Sequence, residues 1–119
     1  MTTKDSRLVI HEQDDITKVE FLDRNILEEA NIQQIGEEIS TLIEKATNPK
    51  ILISFERVEH LSSAALGTLI TINNKIRQKA GQLRLANIDP QIYEVFVITK
   101  LNKLFQIHDT TAKAIESFK

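Results

Sequence analysis

The 119-residue chain contains no cysteine. Disulfides, thiolate metal sites, redox pairs and a cysteine nucleophile are therefore excluded. Its only glycines are Gly36, Gly67 and Gly81. Nucleotide-binding loops need clustered glycines for close backbone approach, so neither nucleotide fingerprint can be written. Proline occurs twice and tryptophan not at all, which excludes collagen-like and proline-rich architectures. No apolar run approaches the ~20 residues that span a bilayer. Met1-Thr2-Thr3-Lys4-Asp5-Ser6-Arg7 has no apolar segment behind it, so no signal peptide is expected. These absences together predict a cytoplasmic protein with no membrane association.

What is present is ordinary for a globular protein: 41% hydrophobic and 27% charged residues. The length fits one domain over residues 1–119, with enough chain to bury a core without staples. Seventeen isoleucines, twelve leucines and five valines outweigh six aromatics, a core suited to a sheet covered by helices. The net charge of -2 hides an asymmetry: residues 1–60 carry -6 and residues 61–119 carry +4. The bases of the second half are scattered from Lys75 to Lys119. They form no stripe with interleaved aromatics, so nucleic acid is not an expected partner. Two solvated faces of opposite sign are expected instead.

Leu8 to Glu12 and Ile16 to Phe21 read as strands of a hairpin with Asp14-Asp15 as its turn. Leu22 to Ala30 reads as a loop. From Asn31 the period becomes helical, with Ile32, Ile35, Ile39, Leu42, Ile43 and Ala46 on one stripe. Asn48-Pro49 stops that helix. Ile51-Leu52-Ile53-Ser54-Phe55 barely alternates and reads as a strand buried on both faces. A helix follows from Ser63 to Ala80, with Gly81 placed for a left-handed cap. Gln82 to Asn87 is a strand. Asp89-Pro90 opens a helix carrying Ile92, Val95, Phe96 and Thr99, with Pro90 at its tolerated first position. That helix is apolar most of the way round, which predicts burial. Phe105 to His108 is a short edge strand or an extended link, and Asp109-Thr110-Thr111 caps a last helix. Helices between consecutive strands imply parallel pairs. The fold class is α/β: a mixed sheet of four to five strands packed against about four helices.

Val58 to Ile70 is the most informative stretch. It follows the central buried strand and opens a helix with two adjacent serines, Ser62 and Ser63. Either can be the N-cap, accepting from an unpaired backbone N–H. A strand that feeds a helix N-terminus is also where α/β folds hold anions. A phosphate there would meet free N–H groups and the helix dipole, adding a charge of roughly -1.5 to -2 without disturbing the core.

The element order and Ser62-Ser63-Ala64-Ala65-Leu66-Gly67 resemble the STAS domain of the anti-sigma factor antagonist family, over nearly the whole chain. That family's motif is Asp-Ser-Ser/Thr-Gly-Leu-Gly at the start of a helix. The resemblance implies a regulatory binding module, not an enzyme. Its partners would be a serine kinase that doubles as the anti-sigma factor, and a serine phosphatase. The phosphoacceptor falls on Ser63, with Leu66 and Gly67 kept. Ser62 stands where the family has aspartate, which leaves Ser62 as the alternative acceptor. Ala65 stands where the family has its first glycine, adding a methyl where a partner would approach. Leu22-Asp23 is similar to the family's Leu-Asp before the first helix, and that loop lies beside the phosphoserine. The resemblance therefore implies a partner surface of Asp23, Asn25, Ser62, Ser63, Leu66 and Gly67. No cofactor is implied. A STAS-fold scaffold that binds without phosphorylation is the alternative.

A small serine hydrolase is a further reading, with Ser62 or Ser63, His60 and Asp109. The Gly-x-Ser-x-Gly elbow of the common α/β hydrolases is missing, so catalysis is not expected. His11, His60 and His108 lack the i, i+4 spacing of a helical metal site, and no metal site is expected.

Overall fold

The computed structural model describes residues 8–118. The N-terminal residues read for a signal peptide, and Lys119, lie outside the described residues. Strands β1 (Leu8–Gln13) and β2 (Ile16–Phe21) pair antiparallel, with Gln13 opposite Ile16. Asp14 and Asp15 both take positive φ, 51° and 71°. This is the two-residue turn whose twist matches a hairpin, and aspartate tolerates that region better than most side chains. Val19 and Phe21 of β2 are buried on one face and Ile16 on the other.

The expected loop after β2 contains an element that the sequence reading missed. Asn25–Ile26 is a short strand, β3. Helix α1 then begins at Glu29, not Asn31, and runs to Lys45. Its stripe is as expected: Ile32, Ile35, Ile39 and Ile43 are all buried. Its open C-terminal carbonyls are met from outside. Lys79 Nζ donates to Ile43 O at 3.2 Å and Glu44 O at 2.9 Å, supplying a cation where the helix dipole is negative.

Strand β4 is Lys50–Ser54, and its Ile51, Leu52 and Ile53 are at most 1% exposed. A second unexpected strand, β5 (His60–Leu61), precedes helix α2 (Ser63–Gln78). The left-handed residue after α2 is Ala80 (φ 56°), not Gly81. Gly81 is needed for space instead: a Cβ there would collide with the carbonyl oxygen of Pro49 and sit 2.9 Å from Ile76. Strand β6 is Gln82–Ala86, α3 is Pro90–Ile98, β7 is Gln106–His108 and α4 is Thr111–Ser117. Asp89 caps α3 by accepting from Gln91 N at 2.8 Å, and Thr110 caps α4 by accepting from Lys113 N at 3.1 Å.

The main sheet has the order β1-β2-β4-β6-β7, antiparallel only at β1. One face carries the large core, to which α1, α2 and α3 contribute Ile39, Leu69, Ile72 and Phe96. The other face is covered by α4, whose Ala114, with Phe118 just beyond it, packs on Ile16, Leu52 and Ala86. Buried Arg84 holds the end of α4. Its Nε donates to Ser117 Oγ at 2.8 Å, and its guanidinium lies 4.8 Å from the Phe118 ring centre. Burial lowers the pKa of that guanidinium below its ordinary value.

The expected burial of α3 is only half right. Ile92 and Phe96 are buried, but Tyr93, Val95, Val97 and Ile98 are exposed, Ile98 at 78%. A nine-residue helix that lies on the edge of a core can seat one flank only, whatever its other sides carry.

Candidate functional site

The site is built by β3 and β5. They form a separate two-stranded parallel sheet, with Asn25 beside His60 and Ile26 beside Leu61. Arg24 O accepts from Glu59 N at 2.7 Å and from His60 N at 3.1 Å. One step further, Ser62 N donates to Ile26 O at 3.1 Å. This ladder fastens the loop that carries Asp23 and Asn25 to the chain that enters α2. The sequence reading assigned neither strand and therefore not their pairing.

Ser62 is the N-cap of α2. Its backbone is extended, and its Oγ accepts from Ala65 N at 3.2 Å. Ser63 is the first helical residue and is exposed. Of two serines that composition alone could not separate, one is occupied in holding the helix and the other faces solvent. The first turn of α2 contains no acidic residue, so its positive dipole end is not neutralised from within the helix. Beyond Ser63, Ala64 and Gly67 are also exposed.

Two expectations are corrected here. Leu66 is only 7% exposed and belongs to the core. It seats the helix and offers no surface, because it lies three residues after Ser63 on the flank that faces the sheet. Ala65 is 5% exposed and also in the core. Its methyl, expected to stand in the path of a partner, points inward.

Asn25 is exposed and Asp23 half-buried. Leu27, which the sequence reading passed over, is 53% exposed just beyond the β3–β5 ladder. Arg24 and Glu59 form an exposed ion pair at 3.7 Å, a kind of pair that contributes little to stability. The hydrolase constellation does not assemble. Among the described residues, neither His60 nor Asp109 hydrogen-bonds to either serine, and Asp109 pairs with Lys113 at 3.7 Å.

A family model for the STAS domain matches residues 8–114. The chain belongs to the STAS domain family. It is similar to BtrV of Bordetella bronchiseptica, named as a candidate anti-sigma factor antagonist. The two are 25% identical over 96 residues, covering 81% of this chain and 82% of that protein. In structure it resembles an anti-sigma-factor antagonist (STAS) domain protein from Planctomyces limnophilus. The TM-score is 0.84 at 21% identity, over 92% of this chain and 96% of the other. It also resembles the Bacillus cell fate determinant SpoIIAA in its phosphorylated form, with a TM-score of 0.70 at 21% identity over 94% and 99% of the two chains. The five-stranded mixed sheet and four helices described above are thus a STAS fold. No described helix is long and apolar enough to cross a membrane.

Proposed function

We propose that this STAS protein is a cytoplasmic anti-sigma factor antagonist switched off by phosphorylation of Ser63. Its partner would be an anti-sigma factor that is also a serine kinase, and a serine phosphatase would restore it. The whole chain, 1–119, would act as one domain. The observation that supports this reading best is the division of labour between the serines. Ser62 Oγ accepts from Ala65 N at 3.2 Å, whereas Ser63 is exposed one residue later. Ser63 can therefore take a phosphate without loss of the helix cap.

The switch would be electrostatic. Unmodified Ser63 stands with exposed, uncharged Ala64 and Gly67 on α2, and the β3–β5 ladder ties the loop of Asp23 and Asn25 to the start of that helix. A partner can cover these uncharged residues with little desolvation cost. A phosphate adds a charge of about -1.5 to -2. Burying it unpaired in an interface would weaken the complex.

A second reading keeps the same binding face without the phosphate. It is favoured by Ser62 standing where the family has aspartate, and by the absence of any acid in the first turn of α2. Peptide mass spectrometry after incubation with lysate of the source organism and ATP separates the two. Phosphate on Ser63 supports the switch, and phosphate on Ser62 moves it by one residue. Neither serine modified, while another phosphoprotein in the same lysate is, favours the constitutive scaffold.

A further inference from the structure

Among the described residues, the main sheet has two outer edges, β1 and β7. They differ in how well they are guarded. Strand β7 has three residues, and so short an edge offers little to pair with. Strand β1 has six, in unbroken register with β2. It carries no proline, no lysine and no bulge, the devices that blunt an exposed edge. Its one formal charge is Glu12. Ile10, a large apolar side chain in the middle of this rim, is 37% exposed. The turn also fixes which backbone groups face outward. Gln13 and Ile16 flank Asp14-Asp15, so they are the hydrogen-bonded pair that closes the hairpin. Such pairs alternate along an antiparallel ladder, which makes His11 with Lys18 and Val9 with Glu20 the next ones. Ile10 and Glu12 lie between them and turn their N–H and C=O groups away from β2, toward the open side.

We infer that this edge pairs antiparallel with β1 of a second copy of the chain, in a two-fold dimer that sets Ile10 opposite Ile10 and continues the main sheet across both molecules. A second copy is the occupant that fits because the strand is complementary to itself, as a two-fold interface requires. With the axis at Ile10, each exposed isoleucine covers its twin and Val9 faces His11. The two Glu12 residues then stand about 13 Å apart along the strands, so no like charges meet. An axis at Glu12 would oppose two carboxylates, a destabilising pair. An axis at His11 would oppose two imidazoles and set Ile10 against the Glu12 carboxylate. One strand pair covers less area than a permanent dimer needs, so the association depends on concentration. It involves neither Ser62 nor Ser63 and stands apart from the phosphorylation reading.

Sedimentation velocity of the full chain over a concentration series tests the dimer. The expected result is a monomer that converts to dimer as concentration rises. Ile10→Lys places two ammonium groups at the axis and should raise the dissociation constant by roughly tenfold or more, while Ile10→Val should stay near wild type. The register is read separately, since the natural chain has no cysteine. Ile10→Cys should give a disulfide-linked dimer under mild oxidation, because paired Cα atoms about 5.5 Å apart lie within disulfide reach. Glu12→Cys, about 13 Å from its twin, should not. A wild type that stays monomeric throughout overturns the inference, and so does an Ile10→Lys variant that dimerises as wild type does. Cross-linking through Glu12→Cys and not through Ile10→Cys overturns it as well. If Ile10→Lys lowers the thermal midpoint, wild-type sedimentation and the two cysteine variants decide.

Discussion

Ser62 is joined to Ile26 by a backbone hydrogen bond of 3.1 Å, so the cap of α2 is also the last rung of the β3–β5 ladder. Its side chain then holds Ala65 N. Ser62→Ala should lose the side-chain half of this arrangement and destabilise the fold by about 1 kcal/mol. Ser62→Asp, which caps equally well, should not. Ser63→Ala, at an exposed position with no cap to lose, should stay within about 0.5 kcal/mol of wild type. Urea denaturation of the three variants checks this order.

Ser63→Asp should weaken the complex with the anti-sigma factor by tenfold or more, about 1.4 kcal/mol. Ser63→Ala should bind as unmodified wild type does and be insensitive to ATP. Titration calorimetry reads both. Equal affinities for the two variants would remove Ser63 as the switch.

Asn87 should be costly to replace. It has φ 59°, and its Nδ2 donates to Ser54 Oγ at 2.9 Å and Thr111 Oγ1 at 2.7 Å. Asn87→Ala loses both bonds and places alanine in the left-handed region. The expected cost is roughly 2–3 kcal/mol. Asn87→Gly should cost less, since it removes the bonds but not the backbone fit. Because Thr111 begins α4, amide exchange in α4 should quicken in both variants.

Asn73 is the opposite case. It is 6% exposed, and its Nδ2 has no partner among the described residues. A buried amide left unpaired is a net cost. Asn73→Leu should raise the thermal midpoint, with a gain on the order of 1 kcal/mol. An unchanged or lower midpoint would mean that the pocket resists the branched side chain.

Much of the fold was readable because its signals are local. The isoleucine stripe of α1, the unalternating β4 and the Asp89-Pro90 start of α3 each declare themselves within one segment. The β3–β5 pairing does not. It joins two-residue strands about 35 positions apart in sequence, too short for any periodicity. The exposed flank of α3 was hidden for another reason: an apolar helix records what it carries, not how much core is available to cover it. At the site, the serine pair was legible but the roles of its members were not. Which hydroxyl caps depends on where the helix starts, and the Ile26–Ser62 bond helps to fix that start. Leu66 was misplaced because the motif was carried over as a block, and only the helical turn assigns Ala65 and Leu66 inward.

The strands of the main sheet stand side by side in the order in which the chain presents them, β1, β2, β4, β6, β7. A chain leaving the ribosome can therefore add each strand to an edge already complete, and none has to be inserted between two others. Growth of this kind extends outward from the β1–β2 hairpin, one edge at a time. It has one exposed stage. Until α4 is made, the face bearing Ile16, Leu52 and Ala86 has no cover, so a nascent chain halted before Thr111 would present to chaperones an apolar surface that the finished protein hides.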